Sequence, residues 1–175
     1  MAGFKLSSGD IIVTMDGDLQ DDPREIPRFL KAIKKYDLVI GWKYQRKDPF
    51  HKTIPSRIFN YLNYKLFNIR LNDNDSGYRA MKKEVANSLR LYGDLYRYIP
   101  AIVSKYGYKI GEIKVKHHRR KYGQSKYGFF RLITGALDLL TVKFLMDFHQ
   151  RPLHLFGGIG LLSFGIGFFI ELIVL

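Results

Sequence analysis

Short apolar runs and helically spaced apolar positions alternate along most of the chain, and one long apolar stretch comes at its end. Residues 11–15 form a β-branched run bounded by Gly9-Asp10 and Asp16-Gly17, which predicts a buried strand ending at an acidic cluster. Asp16 then lies at the carboxyl end of a strand, where α/β sheets receive their ligands. After Pro23, the residues Ile26, Phe29, Leu30 and Ile33 recur at helical spacing. Asp21, Asp22 and Glu25 lie in the first turn, where the helix dipole favours them. Pro27 suits only a first turn, so the helix is expected to start near Arg24.

Residues 37–42 read as a second strand, 43–52 as a basic loop, and 56–67 as a helix with Ile58, Phe59, Leu62 and Leu66 on one side. Residues 72–79 are rich in turn formers, 83–91 and 95–105 have helical spacing, and 108–115 alternate like a strand. Strands alternating with helices predict an α/β domain.

The last part of the chain changes character. Residues 129–148 are apolar with Arg131, Asp138, Lys143 and Asp147 interspersed, which suits a helix at a membrane surface or one packed on the domain. Residues 153–175 are nearly continuous in apolar and small side chains, with Glu171 as the charged interruption. That length crosses a hydrocarbon core of roughly 30 Å. Lys143, His149 and Arg151 flank its start, so the globular part is expected on the cytosolic side of the cytoplasmic membrane. Ser163 and Gly167 would let a second helix approach closely, in keeping with a homo-oligomer. The expected division is 1–128 catalytic domain, 129–150 juxtamembrane amphipathic helix and 151–175 transmembrane helix, with the span ending so close to Leu175 that a longer membrane protein is expected.

Charge and cysteine content narrow the partners. The 175 residues carry 29 Lys and Arg against 16 Asp and Glu, a net +13 that favours phosphate or an acidic membrane surface. Nucleic acid is set aside, because much of the basic charge lies in loops and beside the terminal span. Without cysteine there is no thiolate site, so any metal must be held by oxygen or imidazole. The turn Asp16-Gly17-Asp18, with Gln20 close behind it, offers oxygen ligands suited to Mg²⁺ or Mn²⁺ bridging a diphosphate. His117 and His118 are adjacent, so on a strand they point to opposite faces and do not readily share one ion; lining of a cleft is their expected role.

Four ordered motifs carry a resemblance. The block MDGDLQDDP over residues 15–23, preceded by Gly9-Asp10, resembles the metal-binding signature of family 2 glycosyltransferases of the dolichyl and undecaprenyl phosphate type. DSGYRA (75–80), HHRRKYGQSK (117–126) and RPLHLFGG (151–158) resemble segments of the same family in the same order. The resemblance covers almost the whole chain. It implies a partial GT-A fold, the α/β architecture of nucleotide-diphospho-sugar transferases, and after it a juxtamembrane and a transmembrane helix.

By that resemblance Asp16 and Asp18 would hold the metal and the donor diphosphate, with Gln20 assisting. Arg120, Ser125 and Lys126 would contact phosphates of donor or lipid, a combination of forked donors, hydroxyl and mobile charge suited to several oxygens. Arg57 would hold the acceptor phosphate, and Asp75 and Arg79 would line the sugar and acceptor side. The implied partners are a nucleotide-sugar donor, a polyprenyl phosphate lipid and the membrane. A transferase acting on a polysaccharide hydroxyl, with Asp75 as base, and a non-catalytic membrane-docking fragment are the competing expectations. The family's fold opens with a strand, helix and strand unit near a Pro-x-x-Asn-Glu segment that binds the nucleotide base and ribose. No such segment precedes Asp10, so an exposed sheet edge is expected.

Overall fold

The computed structural model describes residues 2–44, 50–118 and 130–174, with side chains except at 50–58, 94, 130–133 and 136. Within them β1 (Ile11–Thr14), β2 (Leu38–Lys43), β3 (Arg79–Lys82) and β4 (Ile110–Val115) form one sheet in the order β1-β3-β2-β4. β3 is antiparallel to both β1 and β2, while β2 and β4 are parallel. The carboxyl ends of β1, β2 and β4 therefore share one edge of the sheet with the start of β3. β1 pairs with β3 alone among the described strands, so it forms an edge.

The period-two alternation of β2 divides the core. Leu38 and Ile40 pack with Ile12, Met81, Val85 and Val103 against α4 (Lys83–Ser88) and α5 (Ile99–Lys105), which come after the short α1 (Ala2–Leu6), α2 (Ile26–Ala32) and α3 (Phe50–Phe67) in the chain. Val39 packs on the other face with Phe29, Ile33, Tyr78 and Val115 under α2. Phe29 and Tyr78 meet at 4.5 Å between ring centroids. Gly41 makes this approach possible, since a Cβ there would lie 3.0 Å from Phe29 Cζ and 3.1 Å from Val115 Cγ2. Asp37, just before β2, takes Lys82 Nζ at 2.6 Å and the Lys109 amide at 2.8 Å, which fixes the strand's opposite end.

A third cluster joins α3 and α5 to α6 (Phe130–Phe148) through Ile69, Tyr98, Ala101, Leu139 and Val142. α6 is apolar on two sides. Gly135, Leu139 and Val142 are buried on the domain, whereas Leu137 and Leu140 are more than half exposed. Phe144 stacks near Phe148 and meets Phe156 at 5.6 Å, turning the chain into α7 (Pro152–Val174). α7 has 23 residues, none of them buried, and is long and apolar enough to cross a membrane.

Several boundaries depart from the expectations drawn from the sequence. Residues 79–82 are a strand where turn residues were expected to run straight into a helix, because Arg-Ala-Met-Lys has no β-branched pattern and is held by neighbours on both sides. Lys43 ends β2 instead of opening a loop, and α3 begins at Phe50, ahead of Pro55. α2 starts at Ile26 after a 3-10 turn, Pro23–Glu25, that Asp22 caps through the Arg24 amide at 3.0 Å. The helix expected over 83–91 ends at Ser88, as Leu89 turns extended to bury its side chain. The one expected over 95–105 is split into a 3-10 turn, Gly93–Tyr98, and α5, with Pro100 in the first turn of the latter.

Replacing Gly41 with valine is expected to cost about 1–3 kcal/mol by overpacking the Phe29–Tyr78–Val115 contact. Denaturant unfolding in detergent, monitored by near-ultraviolet dichroism, measures it.

Candidate functional site

The site grows from the turn at the end of β1. Thr14 Oγ1 donates to the Gly77 carbonyl at 2.8 Å, tying the end of β1 to the loop that enters β3. The Asp16 carboxylate then lies over Gly77, where a Cβ would fall 2.5 Å from Asp16 Oδ1. Any larger residue at this position would push that carboxylate aside. Asp18 Oδ1 accepts the Gln20 amide at 3.2 Å across Leu19, whose φ of +63° is a left-handed conformation unusual for a branched apolar residue. Such a conformation costs on the order of 1–2 kcal/mol, and here it doubles the chain back towards β4.

The returning segment is stapled to residues beyond β4. His118 donates its amide to the Gln20 carbonyl at 2.8 Å, and Gln20 Nε2 donates to the His118 carbonyl at 3.1 Å. Asp21 forms a bridge with His117, whose Nδ1 lies 3.2 Å from Asp21 Oδ1. His118 Nε2 lies 3.5 Å from Asp22 Oδ2. The two histidines thus engage successive carboxylates.

Beneath this turn the electrostatics are concentrated. The Asp21 side chain is fully buried, and Lys43, itself 7% exposed, places Nζ 3.7 Å from Asp21 Oδ1 and 3.8 Å from Asp16 Oδ2. Burial opposes the Asp21 charge most strongly, but the His117 hydrogen bond and the Lys43 charge outweigh it and hold the carboxyl below its ordinary value. Asp22 is also held below the ordinary range, first by Arg24. Tyr78 donates to the Asp22 carbonyl at 2.9 Å, and burial, with Asp21 nearby, pushes its hydroxyl up to about 12.

The loop into β3 is clamped from two sides. Glu112 on β4 accepts the Asn72 and Asp73 amides at 2.9 and 3.0 Å, and Asn72 Nδ2 at 2.6 Å. Burial raises the Glu112 carboxyl above its ordinary value. Asn60 of α3 donates to the Asn72 carbonyl at 2.7 Å and accepts from Asn74. Arg79 is buried; its guanidinium donates to the carbonyls of Ser76 and of Tyr96, the latter at 2.8 Å. Burial lowers it to about 10, supported in charge by Asp75, Asp73 and Asp16, so it remains a cation at neutral pH.

Asp16, Asp18, Gln20, Asp75 and Arg79 are therefore brought to one end of the sheet, Asp75 exposed between buried neighbours and Arg79 inside the protein. Arg57 falls within α3 with its side chain outside the described residues, as are Arg120, Ser125 and Lys126 altogether. Lys43, Asp21, Glu112 and Asn60 were not among the sequence candidates, and only the adjacency of Asp21 to the acidic turn hinted at any of them. Among the described residues no three carboxylates or imidazoles converge as a ready metal cage. Two carboxylates on an accessible turn nevertheless fit a hard divalent ion that takes its remaining ligands from phosphates and water.

A mixed sheet with an acidic turn at its shared carboxyl edge matches the GT-A fold. The chain belongs to glycosyl transferase family 2, whose model matches residues 1–90. It is 39% identical over 179 aligned residues to the dodecaprenyl-phosphate galacturonate synthase of Rhizobium johnstonii, covering 99% of this chain and 52% of that protein. To the undecaprenyl-phosphate 4-deoxy-4-formamido-L-arabinose transferase of Shewanella sediminis it is 36% identical over 176, covering 100% and 52%. The chain spans about half the length of the curated relatives it matches. Its fold resembles the GT-A structure of glucosyl-3-phosphoglycerate synthase from Mycobacterium tuberculosis. The TM-score is 0.61 at 16% identity over 82% of this chain and 51% of that one, in a complex with Mn²⁺, uridine diphosphate and phosphoglyceric acid.

Substituting Lys43 by alanine is expected to cost roughly 3 kcal/mol by leaving the Asp21 charge buried without its cation, and adding Asp21→Asn is expected to recover most of that. Equilibrium unfolding of the two variants tests this. Asp21 and Asp37 both have depressed folded values, so their stabilisation is present above the unfolded carboxylate range, about pH 4, and lost as the pH falls through the folded values. Glu112, raised, acts in the opposite sense and regains stability on protonation. Melting temperatures should therefore hold between pH 7 and pH 5 and fall steeply below about pH 4.

Proposed function

We propose that the chain forms the metal and phosphate half of an inverting transferase that moves a sugar from a nucleotide diphosphate to a polyprenyl phosphate. The observation that carries this reading is the Asp16-Gly17-Asp18 turn at the sheet's carboxyl edge, in a family 2 chain matched from end to end by polyprenyl-phosphate sugar transferases. Asp16 and Asp18 hold a divalent ion, Mg²⁺ or Mn²⁺, with Gln20 assisting. When bound, the ion offsets the charge of the departing diphosphate. Lys43 fixes Asp16 from below and keeps its carboxylate turned to the loop at Gly77.

A phosphomonoester has a second pKa of roughly 6, so a lipid phosphate is already a nucleophile at neutral pH and needs no strong base. One acceptor phosphate oxygen forms the new bond to the anomeric carbon from the face opposite the diphosphate. The old glycosidic C–O bond breaks with its electron pair going to the nucleotide. The protein's contribution is positioning and charge compensation. Arg57, Arg120, Ser125 and Lys126 bind the phosphates, while Asp75 borders the sugar and Arg79 holds its loop in place by its two backbone contacts. α7 anchors this chemistry in the cytoplasmic membrane, with the catalytic part on the cytosolic side.

Membranes carrying the protein, given radiolabelled nucleotide sugars, undecaprenyl phosphate and Mg²⁺ or Mn²⁺, are expected to label the lipid, and polyprenol without phosphate is expected to stay unlabelled. Asp18→Ala should lower transfer by about 100-fold or more. A variant with undiminished turnover, or label on a polysaccharide hydroxyl, would remove this reading.

A further inference from the structure

Away from the acidic turn, a cavity of about 610 Å³ lies between the 3-10 turn Gly93–Tyr98, α5 and the C-terminal half of α6. Its floor is apolar, with Ile102 and Val142. Its border carries Arg90, Lys105, His149 and Arg151. One carboxylate, Asp147, stands among them, and it is already engaged by Lys143 at 2.8 Å and Lys105 at 3.6 Å. The side chains of Arg90 and Arg151 have no ion-pair partner among the described residues. None of the residues lining this cavity belongs to the acidic turn or to the loop that enters β3.

Position decides what such a cavity meets. Arg151 immediately precedes α7, and the outward face of α6 presents Leu137 and Leu140. With α7 across the bilayer and this face of α6 in the interface, His149 and Arg151 stand at headgroup depth. An apolar floor bordered by these cations at that depth suits a molecule with acyl chains and a phosphate. We infer that this cavity binds the headgroup of an anionic phospholipid of the surrounding bilayer, its phosphate between Arg90 and Arg151 and its chains running out beside α6. The inference rests on α7 being a membrane span and is independent of which sugar or acceptor the enzyme uses.

The test is native mass spectrometry of the full chain released from detergent with four probes: dioleoyl-phosphatidylglycerol, dioleoyl-phosphatidylcholine, undecaprenyl phosphate and inorganic phosphate. Phosphatidylglycerol should be retained roughly tenfold better than phosphatidylcholine, and the double variant Arg90→Gln/Arg151→Gln should abolish that preference. Lys31→Gln/Lys34→Gln, at the exposed end of α2 and in the turn after it, should leave it intact. Equal retention of both phospholipids, or a preference that survives the Arg90/Arg151 variant, overturns the inference. So does displacement by inorganic phosphate, which would make this a free-anion site, or by equimolar undecaprenyl phosphate, which would make it the acceptor's. Flotation with phosphatidylcholine vesicles separates the span from the site: a chain that does not float removes the membrane span and this site together, while one that floats without lipid preference removes this site alone.

Discussion

Burying an ionised carboxylate without a partner costs several kcal/mol, and the whole acidic end of the sheet is arranged around avoiding that at Asp21. Lys43 comes from the end of β2, His117 from beyond β4, and Asp21 itself from the segment after β1. One strand end and the segments that follow two other strands thus contribute one group each to a single charge cluster. Because Lys43 also reaches Asp16, the position of the exposed carboxylate depends on the buried one. The exposed Asp16 carboxylate thus shares its cation with a carboxylate that is fully buried.

The reversed direction of β3 completes the arrangement. It brings an entering loop to the edge where the other three strands leave, and that loop supplies the glycine under Asp16. The loop buries mostly polar side chains ahead of Tyr78, and Glu112 and Asn60 hold its backbone by hydrogen bonds from a strand and a helix. A buried arginine closes it from inside. Polar groups here perform the ordering that apolar contacts perform elsewhere in the sheet.

How much of this can be read from the chain alone depends on the kind of signal each part leaves. β1 and the turn after it are legible because Ile-Ile-Val-Thr is strongly β-forming and ends abruptly at Asp16. α7 is legible from length and apolarity. β3 is not, since its four residues have strand geometry imposed by both neighbours. Lys43 leaves no local signal, because a cation after an apolar run looks like the start of a loop and its carboxylate partners are distant in sequence. The same holds for Glu112, whose partners lie 39 and 40 residues away, and for the Asp21–His117 contact, separated by 96. Local pattern identified which chemistry sits at the edge, and long-range pairing decided how it is supported.

The 3-10 turn Gly93–Tyr98 has contacts in two directions. Its Tyr96 carbonyl receives Arg79, and the Tyr98 hydroxyl donates to the Gly135 carbonyl of α6 at 2.9 Å. A short stretch of one turn therefore separates the arginine behind the acidic loop from the helix that leads into α7. A rotation of α6 about its own axis must either break the tyrosine contact or drag the turn, and with it the carbonyl on which Arg79 rests. The turn therefore ties the packing of α6 on the domain to the carbonyl against which Arg79 rests.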